Sequence, residues 1–294
     1  MQSEPRDHLI GAWLTTAFAM LAFAGNSLLC RVALQHTGID PASFTTIRLA
    51  CGALVLWLIV RSRSAGAKPL GSWPSALALF VYAAGFSYAY ISLTAATGAL
   101  LLFGAVQATM ISWGLLRGER LAAAQTGGLV LALAGLGGLV LPGLAAPPIG
   151  SALLMLGAGV AWGVYSLRAK GAGDATNATA GNFVRAAPLA VALALLTWPT
   201  LRQDLAGAAY AVLSGALASG IGYAVWYTAL RGLQATRAAT MQLSVPVITA
   251  LGGVLLLGEA ISLRLVLASI AVLGGIALVI SHNATPQPLN GGKP

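Results

Sequence analysis

Long apolar runs, interrupted by short clusters of charge, proline and glycine, dominate the chain. Leu9–Cys30 carries no charge, and neither do Pro69–Leu116 and Leu121–Leu167. A helix needs about 20 apolar residues to cross the hydrocarbon layer. The first run is therefore one crossing long, and each of the other two can cross twice. The interruptions divide the chain into ten predicted helical spans, near 9–31, 43–61, 73–94, 97–117, 121–141, 149–168, 179–198, 205–230, 236–257 and 263–281. A membrane β-barrel would show ~10-residue segments of alternating polarity. These runs are continuous and rich in Ala, Leu and Gly. Pro142, Pro147 and Pro148 break the long middle run, since proline lacks the N–H and clashes with the preceding turn.

Composition fits the pattern: 58% of the 294 residues are hydrophobic and 8% charged, with mean hydropathy +0.84. A soluble domain normally has about 25% charged residues, so the lipid bilayer is the expected surrounding. The first run is too long for the 7–15-residue core of a signal peptide, and its flank holds Glu4 and Asp7 beside Arg6, so it reads as an uncleaved span. The net charge of +9 is scattered through loops without the basic stripe and interleaved aromatics that nucleic acid requires, so no nucleic-acid partner is expected. Cys30 and Cys51 lie in apolar spans and read as small hydrophobes. His8, His36 and His282 have no metal-ligand spacing, so neither metal nor cofactor is expected.

Loop charge sets orientation. Arg6, Arg61, Arg63, Lys68, Arg117, Arg120, Arg168, Lys170, Arg231, Arg237 and Lys293 fall on the N-terminal side, against Arg31, Arg202 and Arg264 opposite. Both termini are expected in the cytoplasm, in a bacterial inner membrane. The tail 282–294, with Pro286, Pro288 and two glycines, is expected to be disordered.

The chain also resembles itself. Leu115-Leu116 with Gly118-Glu119 recurs as Leu255-Leu256 with Gly258-Glu259, and Ala89, Leu93, Ala95, Ala99 and Gly135 match Ala229, Leu233, Ala235, Ala239 and Gly275. Only three glutamates occur, so the register of two is the informative match. A slightly smaller offset pairs Arg31 with Arg168 and Arg48 with Arg185. Five spans per copy is an odd number, so matched helices run oppositely. The expected fold is an all-α integral membrane protein of ten transmembrane helices in two inverted five-helix repeats, 1–142 and 143–281. Inverted repeats serve alternating-access transporters, whose substrate sits near the midplane between the halves.

This architecture, with the Leu-Leu-x-Gly-Glu elements at 115–119 and 255–259 and the stretch from Tyr223 through Ala229-Leu230 and Pro246 to Glu259, resembles the drug/metabolite transporter superfamily. Within it, the chain is similar to EamA-type exporters, and among those to YddG-type exporters of aromatic and other amino acids. The resemblance implies export from the cytoplasm of a small-molecule substrate held in a central cavity. The first copy departs from the pattern, with Val106 in the place of Pro246.

Glu119 and Glu259 lie near membrane faces. They read either as proton-coupling carboxylates or, as that placement favours, as caps for helix N-termini. Arg48 and Arg185 lie within spans, where a long side chain can snorkel to the headgroups or hold a substrate carboxylate. Asn26, Gln107, Gln242 and Ser244 are polar at depth. Trp13, Trp57, Trp73, Trp113 and Trp198 sit near span ends, as an interfacial belt does. Tyr82, Phe86 and Tyr90 share one helix face, as do Trp162 with Tyr165, and Tyr223 with Trp226 and Tyr227. The substrate-binding set expected is Tyr82, Phe86, Gln107, Trp162, Tyr165, Trp226, Gln242 and Ser244, with no catalytic or metal residue. Broad drug efflux is the alternative. An enzyme would need a catalytic cluster and a channel a filter or charge rings; neither is visible. No feature of the sequence sets an oligomeric state.

Overall fold

The computed structural model describes residues 4–63, 70–118, 121–143, 145–169, 173–230 and 241–282, and within these the side chains of 14–229 and 241–281. Among the described residues the only regular elements are helices. They are α1 Glu4–His36, α2 Pro41–Arg63, α3 Trp73–Ala89, α4 Ala95–Leu116, α5 Ala123–Val140, α6 Ile149–Ala169, α7 Ala175–Leu196, α8 Leu205–Leu213, α9 Gly222–Leu230, α10 Ser244–Leu257 and α11 Leu263–His282. A π-helical stretch, Ser214–Ile221, joins α8 and α9 into one continuous rod. Eight of the described helical segments are long and apolar enough to cross a membrane. The 17-residue α3 and the 14-residue α10 are shorter. The expected ninth span begins at 236, outside the described residues, as does the tail beyond His282.

Side-chain chemistry sets the helix ends. Ser72, Thr94, Asp174 and Asp204 each accept an N–H from the first turn of the helix that follows them. Such caps satisfy donors that have no partner within the helix. The repeated Leu-Leu-x-Gly element ends two helices in the same manner. Gly118 follows α4 with φ +91° and Gly258 follows α10 with φ +63°, a left-handed conformation that glycine adopts without the Cβ penalty.

Burial is inverted relative to a water-soluble protein. Leu116, Leu196, Leu205 and Leu255 are among the most exposed side chains, while Arg48, Asn26, Ser87, Gln107, Ser214 and Thr249 are buried. An apolar exterior of this extent suits hydrocarbon, not water. Trp73, Trp113 and Trp198 are exposed at helix ends, and the Arg117 guanidinium stacks 4.8 Å from the Trp113 ring.

Small residues bring the helices together. α5 and α11 form the most extensive pair. A Cβ on Gly275 would lie 2.4 Å from the Gly128 carbonyl oxygen, and one on Gly128 would lie 2.6 Å from that of Gly275. Backbone approach of this kind drives association where lipid removes the hydrophobic incentive. Gln125 donates from α5 to the Val279 carbonyl, and Arg264 donates to the carbonyls of Leu139 and Leu141. Around the centre, α2 packs on α7, α3 on α6 and α7, and α4 on α6 and α10. α1 packs on α8, the π-helical stretch, α9 and α10.

Candidate functional site

At the centre of the bundle, Arg48 of α2 is 1% exposed. Its neighbour across the interface is the π-helical stretch, and Gly215 makes that approach possible: a Cβ there would lie 2.3 Å from the Arg48 carbonyl oxygen. The stretch supplies two hydroxyls. Ser219 Oγ accepts from Arg48 Nε at 3.3 Å, and Ser214 Oγ donates to Asn26 Oδ1 at 2.6 Å. Arg48 Nη2 donates to the Tyr82 hydroxyl at 3.0 Å, and Asn26 Nδ2 donates to the same oxygen at 3.4 Å. Arg48 Nη1 has no hydrogen-bond partner among the described residues. The guanidinium carbon stands 5.1 Å from the Tyr82 ring centre and 5.0 Å from that of Phe86. A buried charge without an ionic partner is costly; here two ring faces and two hydroxyls replace part of its hydration.

Aromatic side chains continue from this cation. Tyr82 meets Trp162 at 4.7 Å, Trp162 meets Tyr223 at 5.2 Å, and Tyr223 meets Phe23 at 5.7 Å and Phe183 at 5.8 Å. They enclose a cavity of about 20 Å³ lined by Phe23, Asn26, Ser27, Tyr82, Phe86, Leu102, Phe103, Trp162 and Tyr223. That is room for one water, so a larger solute enters only when the rings part. A larger recess of about 760 Å³ between α4, α5 and α6 is lined by leucines and valines and holds no charged group. It faces outward and suits an apolar chain better than a polar solute.

A second polar cluster lies at the bundle end where α1 finishes. Arg31 Nε donates to Glu259 Oε1 at 2.9 Å, and Arg31 Nη1 donates to the carbonyls of Tyr90 and Ile91. Glu259 Oε2 accepts the N–H of Ala95, in the first turn of α4, at 2.8 Å.

A family model described as the EamA-like transporter family matches residues 149–281. An uncharacterized protein of Pseudomonas aeruginosa is 59% identical over 91% of this chain and 94% of its own length. An uncharacterized transporter of Archaeoglobus fulgidus is 27% identical over 90% of this chain and 96% of its own. The chain belongs to the EamA-like transporter family. A solved crystal structure shares the fold of this EamA-like transporter with a TM-score of 0.66, at 22% identity, covering 91% of this chain and 96% of the other. The family is one of multi-pass membrane transporters, not enzymes.

Within this EamA-like transporter the expected site residues separate into two groups. Tyr82, Phe86 and Trp162 line the central cavity. Tyr165 stacks on Trp162 at 5.3 Å and donates its hydroxyl to Thr179, so it stands behind the lining. Trp226 is buried and meets Phe23 at 5.9 Å, one ring away from the cavity. Gln107 is buried on α4 with its Nε2 unpartnered, outside the lining set. Gln242 and Ser244 are half-buried and also outside it; Ser244 Oγ donates to the Met241 carbonyl at 2.6 Å. Neither intramembrane arginine snorkels as a free chain. Arg185 binds the carbonyls of Leu70 and Gly181, and Arg48 turns inward. Phe23, Asn26, Tyr223 and Arg48 belong to the centre although the expected site set omitted them. The signal for Arg48 and Asn26 was a lone charge or amide within an apolar span, and for Tyr223 its shared helix face with Trp226 and Tyr227; Phe23 carried none. Glu119 lies outside the described residues. Glu259 has the cap geometry expected of it, on a helix of the other half of the chain.

Proposed function

We propose that this transporter exports small organic solutes from the cytoplasm, amino acids with aromatic or otherwise amphipathic side chains foremost. Alternating access of two inverted five-helix repeats around the central cavity would carry them. The observation that supports this most is the aromatic cavity itself, with Phe23 and Tyr82 from the first half and Trp162 and Tyr223 from the second. Pockets for small ligands are mostly apolar with a few placed polar groups. Here rings would enclose the apolar body while Asn26, Ser27 and Arg48 meet the polar head.

The packing pattern favours the repeat. If helices of the two halves are exchanged in order, the α3–α6 contact becomes that of α1 with the α8–π–α9 rod. The α4–α6 contact becomes α10–α1, and α3–α7 becomes the rod against α2; all of these occur. The charge count favours both termini in the cytoplasm, and export is the direction that the likeness to EamA-type exporters implies.

Broad drug efflux is the second reading, favoured by the ring faces alone, which discriminate weakly between apolar bodies. Purified protein in liposomes, assayed for uptake of a panel of amino acids and lipophilic cations with and without a proton gradient, separates the two. Amino-acid uptake with little cation uptake is expected. Transport of the cations alone would overturn the amino-acid reading.

A further inference from the structure

We infer that the central site recognises its solute through a carboxylate, held by Arg48, and that an ammonium group on the solute is dispensable. The inference rests on the proposed central site and names its substrate class: apolar or aromatic organic anions, with amino acids accepted as carboxylates.

The geometry supplies a docking position. The Tyr82 hydroxyl oxygen receives two donors, Arg48 Nη2 at 3.0 Å and Asn26 Nδ2 at 3.4 Å, while Arg48 Nη1 beside it has no partner among the described residues. A phenol has one oxygen, and it leaves half of the guanidinium fork unused. A carboxylate has two oxygens at the spacing of that fork and takes Nη1 and Nη2 together. The Tyr82 hydroxyl is thus a neutral stand-in that holds the arginine until a better acceptor displaces it. Tyr82 and Phe86 form both the wall of the small cavity and the faces on which the guanidinium rests. The ring movement that opens the cavity to a solute therefore also uncovers the arginine.

Charge balance gives the second argument. The chain has seven acidic residues: Glu4, Asp7, Asp40, Glu119, Asp174, Asp204 and Glu259. Of these, Asp40, Asp174, Asp204 and Glu259 are among the described side chains, and none of the four lines the cavity or pairs with Arg48. Among the described residues the positive charge at the centre therefore has no counter-ion, a role the solute can fill. A solute whose only charge is an ammonium would find no described carboxylate there and would meet repulsion from the guanidinium. Unpaired like charge is an effective means of rejecting the wrong ligand.

Calorimetry on the purified full-length protein in detergent, with four related probes, tests this: 3-phenylpropionate, phenylalanine, 3-phenylpropionamide and 2-phenylethylamine. The expected result is that the two carboxylates bind within a few-fold of each other and about tenfold or more tighter than the amide. The amine should not bind measurably. Arg48→Gln should bring the carboxylate-to-amide ratio close to one. Tyr82→Phe, which keeps the arginine and removes the competing hydroxyl, should keep or raise that ratio, and it tests the idea even if Arg48→Gln fails to fold. Equal affinity for amide and carboxylate, or a preference for the amine, would overturn the carboxylate anchor while leaving the cavity as the binding site. Binding of phenylalanine without 3-phenylpropionate would show that the ammonium is recognised and would also overturn it. If none of the four probes binds and the liposome panel is also blank, the central site itself is wrong, and this inference falls with it.

Discussion

Arg31 and Glu259, 228 positions apart in the chain, meet at 2.9 Å, each about one-tenth exposed. The same carboxylate caps α4 through Ala95, and the same guanidinium holds the carbonyls that end the Tyr90–Ile91 turn. One ion pair therefore ties α1, the α3–α4 turn and the segment after α10. Both oxygens of Glu259 are engaged in structural bonds, which leaves little role for it as a proton carrier. Glu259→Ala should lower the thermal midpoint in detergent by the equivalent of roughly 3 kcal/mol, since it leaves an arginine half-paired in a partly buried site. Glu259→Gln keeps an acceptor for Ala95 and should lose less. If Glu259→Gln retains full stability but abolishes the pH dependence of transport in liposomes, the carboxylate is a coupling group instead.

Asp204 makes a prediction about acid. Its carboxylate accepts the N–H groups of Gly38 at 3.0 Å and Gly207 at 2.8 Å, which lowers its pKa below the ordinary carboxylate value. A group with a depressed folded-state pKa stabilises the protein above its unfolded value, and that contribution fades as pH falls through the folded one. The thermal midpoint should therefore fall as pH drops below about 4, the ordinary range for aspartate. Asp204→Asn keeps a capping oxygen but cannot titrate. Its midpoint should be lower than wild type at neutral pH, with the gap closing in acid. A gap that is constant with pH would show that these bonds do not depend on charge.

Gly128 and Gly275 allow no Cβ between α5 and α11 without moving backbone. Gly275→Val should destabilise by about 1–3 kcal/mol or more, the range for overpacking a tight interface. Gly127, next in sequence to Gly128 but with open space around its Cβ position, serves as control. Gly127→Ala should be neutral or slightly stabilising, because alanine is the better helix former. Thermal unfolding of the three proteins side by side decides; equal midpoints for Gly275→Val and wild type would show that the helices do not meet as closely as described.

Orientation is tested by fusion. With both termini in the cytoplasm, alkaline phosphatase joined at the C-terminus should be inactive and a fluorescent protein there should be bright. The reverse pair of results would invert the transport direction proposed above.

Helix content was legible because lipid imposes a length and a composition on every crossing, and runs such as Leu121–Leu167 satisfy both. The Leu-Leu-x-Gly repeat was legible as a match, and its cause is visible in the positive φ of Gly118 and Gly258. The centre was half legible. Helical spacing put Tyr82 and Phe86 on one face of α3, and Trp162 with Tyr165 on one face of α6; that these two faces meet, with Tyr82 4.7 Å from Trp162, is a matter of tertiary packing that spacing does not carry. It could not select Arg48, since a charge near a span end can turn either outward or inward. That choice is made by Gly215, Ser219 and Tyr82 on other helices. Gln242 and Ser244 were placed at the centre by depth alone, and depth does not fix the direction a residue faces around its helix.

The π-helical stretch Ser214–Ile221 also bears on how this chain can vary. Ser214 reaches Asn26, Ser219 reaches Arg48, and Tyr223 follows immediately among the rings. Each residue of a helix advances the azimuth by a fixed angle, about 100° in the α form and somewhat less in the wider π form. Removing a single residue between Ser214 and Tyr223 would therefore swing one set of contacts a quarter-turn or more away from the other. Loops between spans can gain or lose residues with little consequence. Here the register decides which contacts coexist, so an insertion or deletion of one position would separate the Ser214–Asn26 and Ser219–Arg48 bonds from the Tyr223 ring contacts even though every residue type survived.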